Sequence, residues 1–180
     1  MENNIDLVYR EIKLTEAELI REIDAECYIR NAWRVVEGNE RQLVEIDWTD
    51  HELPNGTDWH IERYNKSLNH GGTAIGCFDG DTLVGYAVVN SDVFGKLSKY
   101  VLLDQIFVSK SYRGKSIGKK LFSHACSAAR QFGADKLYIC AGSSEDTIAF
   151  YFNLGCIDAK EIDSVLAAED PNDWQLEYKL

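Results

Sequence analysis

The chain lacks most of what marks a secreted, membrane-spanning or metal-stapled protein. It has two prolines, one methionine and no Cys-x-x-C pair among 180 residues. Its five cysteines, Cys27, Cys77, Cys126, Cys140 and Cys156, are odd in number and widely spaced. That spacing argues against a disulfide framework and a structural zinc site, and for reduced thiols in a cytoplasm. No apolar run reaches the ~20 residues of a membrane helix. The opening segment MENNIDLVYREI lacks the basic and apolar parts of a secretory signal. A cytoplasmic protein without a membrane partner is therefore expected. His51, His60 and His70 lack tight ligand spacing, so no metal is expected. Positive charge is scarce too: 19 Lys and Arg stand against 30 Asp and Glu, a net charge of −11. A general nucleic-acid binder needs a basic face, so no nucleic-acid partner is expected. An acidic balance can steer a cationic substrate, although solubility alone accounts for it.

What remains is an ordinary globular composition, 45% hydrophobic and 11% aromatic. The length suits one domain, residues 1–180, with a sizeable core. Ile5 to Leu14 reads as a first strand. Thr15 followed by Glu18 forms a capping-box pattern, opening a helix that carries Leu19, Ile20, Ile23 and Cys27 on one face. A second helix is expected from about Asn39 to Ile46. Residues 47–71 read as loops and short helix over one end of a sheet. Thr73–Phe78 and Leu83–Val89 flank Asp79-Gly80-Asp81, a hairpin signal.

Tyr100–Val108 is an apolar run that reads as a strand, and Lys115–Phe132 as a helix with Gly133 as its stop. Lys136–Ala141 is a further strand and Ser143–Leu154 a late helix. Residues 156–166 and Trp174–Leu180 are expected to form a last hairpin. This order predicts an α+β fold, a mixed and mostly antiparallel sheet flanked by helices, with one parallel step across the helix from Lys115.

The turn before that helix is the most informative segment. Residues 110–120 hold five Lys or Arg in an otherwise acidic chain. A helix N-terminus offers N–H groups without intrahelical partners and partial positive charge, so a strand, a basic Gly turn and a helix make an anion site. A P-loop is one candidate. Gly114-Lys115-Ser116 matches the second half of its pattern, but Ser109 stands at the first glycine, and KLYICA offers no carboxylate for magnesium.

Arg113-Gly114-Lys115-Ser116-Ile117-Gly118 resembles the acyl-coenzyme A turn of the GCN5-related N-acetyltransferases (GNAT), [RQ]-x-x-G-x-[GA], with Ser116 where glycine is usual. Thr147-Ile148-Ala149-Phe150-Tyr151-Phe152-Asn153-Leu154-Gly155-Cys156 resembles that family's late helix, in the expected order and separation. The resemblance covers about Gly72 to Leu180. It implies a GNAT-like acyl-CoA N-acyltransferase fold and transfer of acetyl from acetyl-CoA to a primary amine, without a metal. It further implies a cofactor strand–turn–helix at 100–133 and acceptor-side helices and loops at 15–71.

Carried over residue by residue, the resemblance assigns backbone contacts for the pantetheine arm to Ile106, Phe107 and Val108. It assigns the diphosphate to Arg113, Gly114, Lys115, Ser116, Ile117, Gly118 and Lys119. Ser116 is tolerable there if its φ stays negative. Ser144 stands where many members have a cofactor-touching Asn. Tyr151 takes the position of the proton donor to the leaving thiolate, whereas Phe150 and Phe152 read as core. Some members carry a Glu base where this chain has Ile139, so Asp104, acting through a water, is the substitute. Trp48, Asp50, His51, Glu52, Trp59, His60 and Tyr64 mix aromatic faces and carboxylates in a way that suits a small-molecule or peptide amine, which could be cationic. A homodimer through the last strands is an expectation from similar proteins. A non-catalytic acyl-CoA sensor on the same fold is the alternative function, ahead of a P-loop phosphotransferase.

Overall fold

A computed structural model describes residues 6–37 and 40–180. Nine strands and four α-helices are described: β1 (Leu7–Glu11), β2 (Cys27–Val35), β3 (Arg41–Asp50), α1 (Thr57–Asn69), β4 (Thr73–Asp79), β5 (Thr82–Val89), β6 (Tyr100–Val108), α2 (Ile117–Gln131), β7 (Lys136–Ala141), α3 (Glu145–Asn153), β8 (Ile157–Asp158), α4 (Ser164–Glu169) and β9 (Trp174–Lys179). Seven strands form one sheet in the order β1-β4-β5-β6-β7-β9-β8. All pairs are antiparallel except β6 with β7. The architecture is α+β, as the order of elements predicts.

Apolar side chains on the two sheet faces build separate cores. On one face α2 buries Ile117, Leu121, Ala125 and Ala129 against Val101, Leu103 and Leu137, and α3 adds Ile148 and Tyr151. On the other face α1 and a 3₁₀ segment, Leu14–Glu22, cover Phe78, Leu83, Tyr86 and Val88. The parallel step is β6–α2–β7, and it creates the feature on which the site depends. β6 pairs with β7 only through Tyr100–Leu102 against Lys136–Tyr138. β7 meanwhile pairs with β9 along its whole length. Past Leu102, one edge of β6 parts from its neighbour.

A second irregularity lies on the other edge of β6. The register against β5 shifts between Val88, opposite Gln105, and Val89, opposite Leu103. Asp104 is the unmatched residue of this bulge. Strand residues two apart normally share a face, but a bulge changes the phase. Leu102 and Asp104 therefore point to the α1 face, whereas Ile106 and Val108 pack towards α2.

The N-terminal third departs from the sequence reading. No helix runs through 41–46; β2 and β3 form a two-stranded ribbon outside the main sheet. Asn39, the expected start of that helix, lies outside the described residues, as does Ile5 of the first strand. The ribbon leaves Tyr28, Val35, Leu43 and Trp48 exposed on both strands, so a one-sided apolar alternation is absent from the sequence. The first helix is 3₁₀ and ends at Glu22 rather than continuing to Cys27. Its start is fixed two residues earlier than the Thr15 pattern suggests, where the Lys13 N–H donates to the Glu16 carboxylate at 2.8 Å. In the last segment α4 intervenes, so only Ile157–Asp158 pairs with β9.

Candidate active site

The turn between β6 and α2 is shaped by two left-handed residues, Gly114 (φ 76°) and Ser116 (φ 62°). Gly114 is at home there, since a Cβ at that position would meet nothing within 4 Å. Ser116 is not, and the expected negative φ is corrected: it holds, with a Cβ, the conformation that glycine adopts freely. α2 starts immediately after it. The first backbone N–H of the chain that closes back on the turn is that of Lys120, donating to the Ser116 carbonyl at 3.1 Å. The N–H groups of Ile117, Gly118 and Lys119 are thus left for an external acceptor. The first turn of α2 carries no carboxylate.

A cavity of ≈ 630 Å³ opens beside this turn. Ile106, Phe107 and Val108 form its strand wall. Arg113, Gly114, Ser116, Ile117, Gly118 and Lys119 form the turn side. α3 closes it with Thr147, Phe150, Tyr151, Asn153 and Leu154. Of the residues assigned to the cofactor from sequence, Lys115 and Ser144 are the two that do not line it. The Lys115 ammonium lies over the Tyr112 ring, 4.9 Å from its centre. Ser144 caps α3: its hydroxyl accepts from the Thr147 N–H at 3.2 Å and donates to Thr147 Oγ1 at 2.8 Å. Arg113 braces the turn from behind, donating from Nε to the Val108 carbonyl (3.0 Å) and from its two terminal nitrogens to the carbonyls of Glu26 (2.8 Å) and Ala25 (3.1 Å).

Tyr151 is buried in the wall of this cavity, and burial pushes its phenol well above the ordinary value. Phe150 also lines the cavity, so it is more than core. Phe152 is 41% exposed and meets the edge of Trp174, which corrects its core reading. Sequence reasoning did not single out Thr147, Asn153 or Leu154. Their spacing of three and four from Tyr151 on one helix was the available signal. Burial pushes the thiols of Cys126 up to about 11 and of Cys140 and Cys156 up to about 12, so these sulfurs stay protonated and weakly nucleophilic.

Asp104 stands on the opposite face. Its side chain is 1% exposed, and Arg63 Nε donates to Oδ1 at 2.7 Å. Burial raises its carboxyl above the ordinary range although the Arg63 charge pulls against it. The second guanidinium nitrogen of Arg63 donates to Glu169 of α4 at 2.9 Å. Of the aromatic and acidic residues grouped from sequence, Trp59 alone reaches this region, with Arg63 5.0 Å from its ring centre. His60 is a core residue, Nδ1 3.0 Å from the Gln105 amide oxygen and Nε2 2.8 Å from the Pro54 carbonyl. Tyr64 is buried and donates to the carbonyls of Ile12 and Lys13. Trp48 and Asp50 bond to each other on the ribbon at 2.7 Å, and His51 lies 3.7 Å from Glu26. Among the described residues no group of three or more His, Cys, Asp or Glu could hold a metal, and no helix is long and apolar enough to cross a membrane.

A helix N-terminus free of acidic side chains, beside a strand with one unpaired edge, defines a site for an extended molecule that ends in phosphate. The profile of the Acetyltransferase (GNAT) family matches residues 40–155, and the chain belongs to that family. Solved structures of similar fold agree. A nourseothricin acetyltransferase is 18% identical, with a TM-score of 0.72 over 96% of this chain and 98% of that one. A protein assigned as a streptothricin acetyltransferase from Bacillus anthracis, in complex with acetyl coenzyme A, is 16% identical with a TM-score of 0.68 over 97% and 98%. The PaiA N-acetyltransferase of Thermoplasma acidophilum, in complex with coenzyme A, is 15% identical with a TM-score of 0.60 over 98% and 100%. No curated protein sequence matches the chain.

Proposed function

We propose that this protein transfers acetyl from acetyl-CoA to a primary amine by direct transfer. The observation that carries the reading is the unpaired edge of β6 leading into the carboxylate-free N-terminus of α2. Acetyl-CoA supplies an acyl carbon activated as a thioester. The N–H groups of Ile117, Gly118 and Lys119 grip its diphosphate, with the Lys119 charge adding attraction. Backbone groups of Ile106, Phe107 and Val108 pair with the amide-bearing arm as a neighbouring strand would. Tyr151 holds its proton at the sulfur. A phenol is a weaker acid than a thiol, so the phenol stabilises the departing thiolate chiefly by hydrogen bonding. Asp104, from the opposite face, takes the proton that the attacking nitrogen sheds, directly or through a water. One of its oxygens is held by Arg63; the other has only a 3.4 Å contact to the Gln105 amide. The protonated thiols disfavour a covalent acetyl-enzyme.

Calorimetry with acetyl-CoA, coenzyme A and magnesium-ATP tests the first step: micromolar binding of the two thiol cofactors and none of ATP is expected. Tight ATP binding alone would defeat the proposal. A thiol-release assay over a panel of amines tests the second, since acetyl-CoA binding without turnover of any amine would favour the sensor.

A further inference from the structure

A groove of ≈ 660 Å³ lies on the α1 side of β6, with Leu102 and Asp104 in its floor. The β6 bulge makes it meet the cofactor cavity from behind: Asp104 faces the groove, and Ile106, two residues on, faces the cavity. Its volume is that of a site for a molecule of drug size.

Charge in the groove is unequal. Glu62, Asp92, Asp104 and Glu169 line it against Arg63 and Lys66, four carboxylates to two cations, leaving two negative charges. The Arg63 guanidinium is already shared between Asp104 and Glu169. Trp59, 39% exposed, adds an aromatic face at the same wall. Anions are disfavoured here, and cations are attracted by Coulomb and cation–π terms.

We infer that this groove is the acceptor site and that the acceptor carries at least two amino groups, one reacting while another, as ammonium, is held by the Glu62 and Glu169 carboxylates. The inference rests on the transferase reading above. A second nitrogen is required by the chemistry: the one that attacks must be uncharged at that moment, so a charged groove can recognise only another. A linear oligoamine and an amino sugar share this chemistry, and spermidine and kanamycin A represent them, with benzylamine as the singly charged comparison.

Thiol release at saturating acetyl-CoA is expected to give spermidine or kanamycin A a KM at least tenfold below that of benzylamine. That KM should rise on going from low to high salt, since the rim charges are screened. Glu62→Gln, which breaks no ion pair among the described residues, is expected to raise it at least threefold, and Glu62→Gln with Glu169→Gln at least tenfold, with acetyl-CoA affinity unchanged. A KM for benzylamine equal to or below that of both polyamines, or one within twofold of wild type in both variants, overturns the inference. Calorimetry of the three probes on cofactor-free protein reads the groove separately. Polyamine binding that the Glu62→Gln variant weakens, without any thiol release, keeps the groove and removes the transferase reading. Thiol release with benzylamine alone does the reverse.

Discussion

Gly118 and Phe150 face each other so closely that a Cβ on Gly118 would stand 3.2 Å from the Phe150 ring. The two residues come from α2 and α3 and form opposite walls of the cofactor cavity. Gly118→Ala should gain about 0.5–1 kcal/mol of helix propensity and lose much of it by pushing the ring. Thermal unfolding is expected to change little. Coenzyme A affinity, measured by calorimetry, should fall several-fold as Phe150 moves into the cavity. Unchanged affinity would place the ligand away from this wall.

Ser116 carries a strain that its family position normally avoids. Ser116→Gly is expected to raise stability by about 0.5–1 kcal/mol, read as a higher Tm. It should also tighten coenzyme A binding by letting the backbone approach the phosphates. Ser116→Ala keeps the Cβ and loses the hydroxyl. If Ala binds coenzyme A far more weakly than Ser, the hydroxyl itself touches phosphate.

Tyr151→Phe is expected to lower turnover tenfold or more, about 1.4 kcal/mol, while leaving coenzyme A affinity nearly unchanged. Burial keeps the phenol protonated, so Tyr151 adds no alkaline limb below pH 10 to the rate profile. An unaltered rate in the variant removes Tyr151 from the chemistry.

Asp173 makes stability depend on pH. Burial, with the charges of Asp170 and Glu169 adding, pushes its carboxyl up to about 6, from an ordinary 3.8. The folded state therefore binds the proton more tightly than the unfolded chain. The stability this supplies is complete below pH 3.8 and is lost as pH rises through about 6. Asp173→Asn should stabilise the protein above pH 6 by on the order of 1 kcal/mol, after allowing for solvent screening, and have little effect near pH 3.5. An equal Tm gain at both pH values would show that the carboxyl does not titrate as the geometry requires.

The cofactor side was legible in the sequence because its signals are contiguous. Tyr100–Val108 is an apolar run, the basic turn follows at once, and α2 buries residues at helical spacing. The structure places both strand limits where the run begins and ends. The ribbon was not legible, since both of its strands expose large apolar side chains and neither face repeats with period two. The Gly38-Asn39 pair between two β-rich runs was the overlooked signal. The groove was hidden for a different reason. Its residues come from α1, the segment after β5, the floor of β6 and α4, and no local pattern links them. Asp104 was recognised as a polar residue on a strand, but its partner Arg63 lies 41 positions away.

The place where β6 and β7 rejoin acts as a backstop. Six residues, Leu103–Val108, lie beyond the last pair at Leu102 and Tyr138, a slot about 20 Å long. A thioester laid along it from the turn arrives at that junction tail first. Any extra carbons must then prise apart two hydrogen-bonded strands, so donors are graded by length, and long fatty tails find no room.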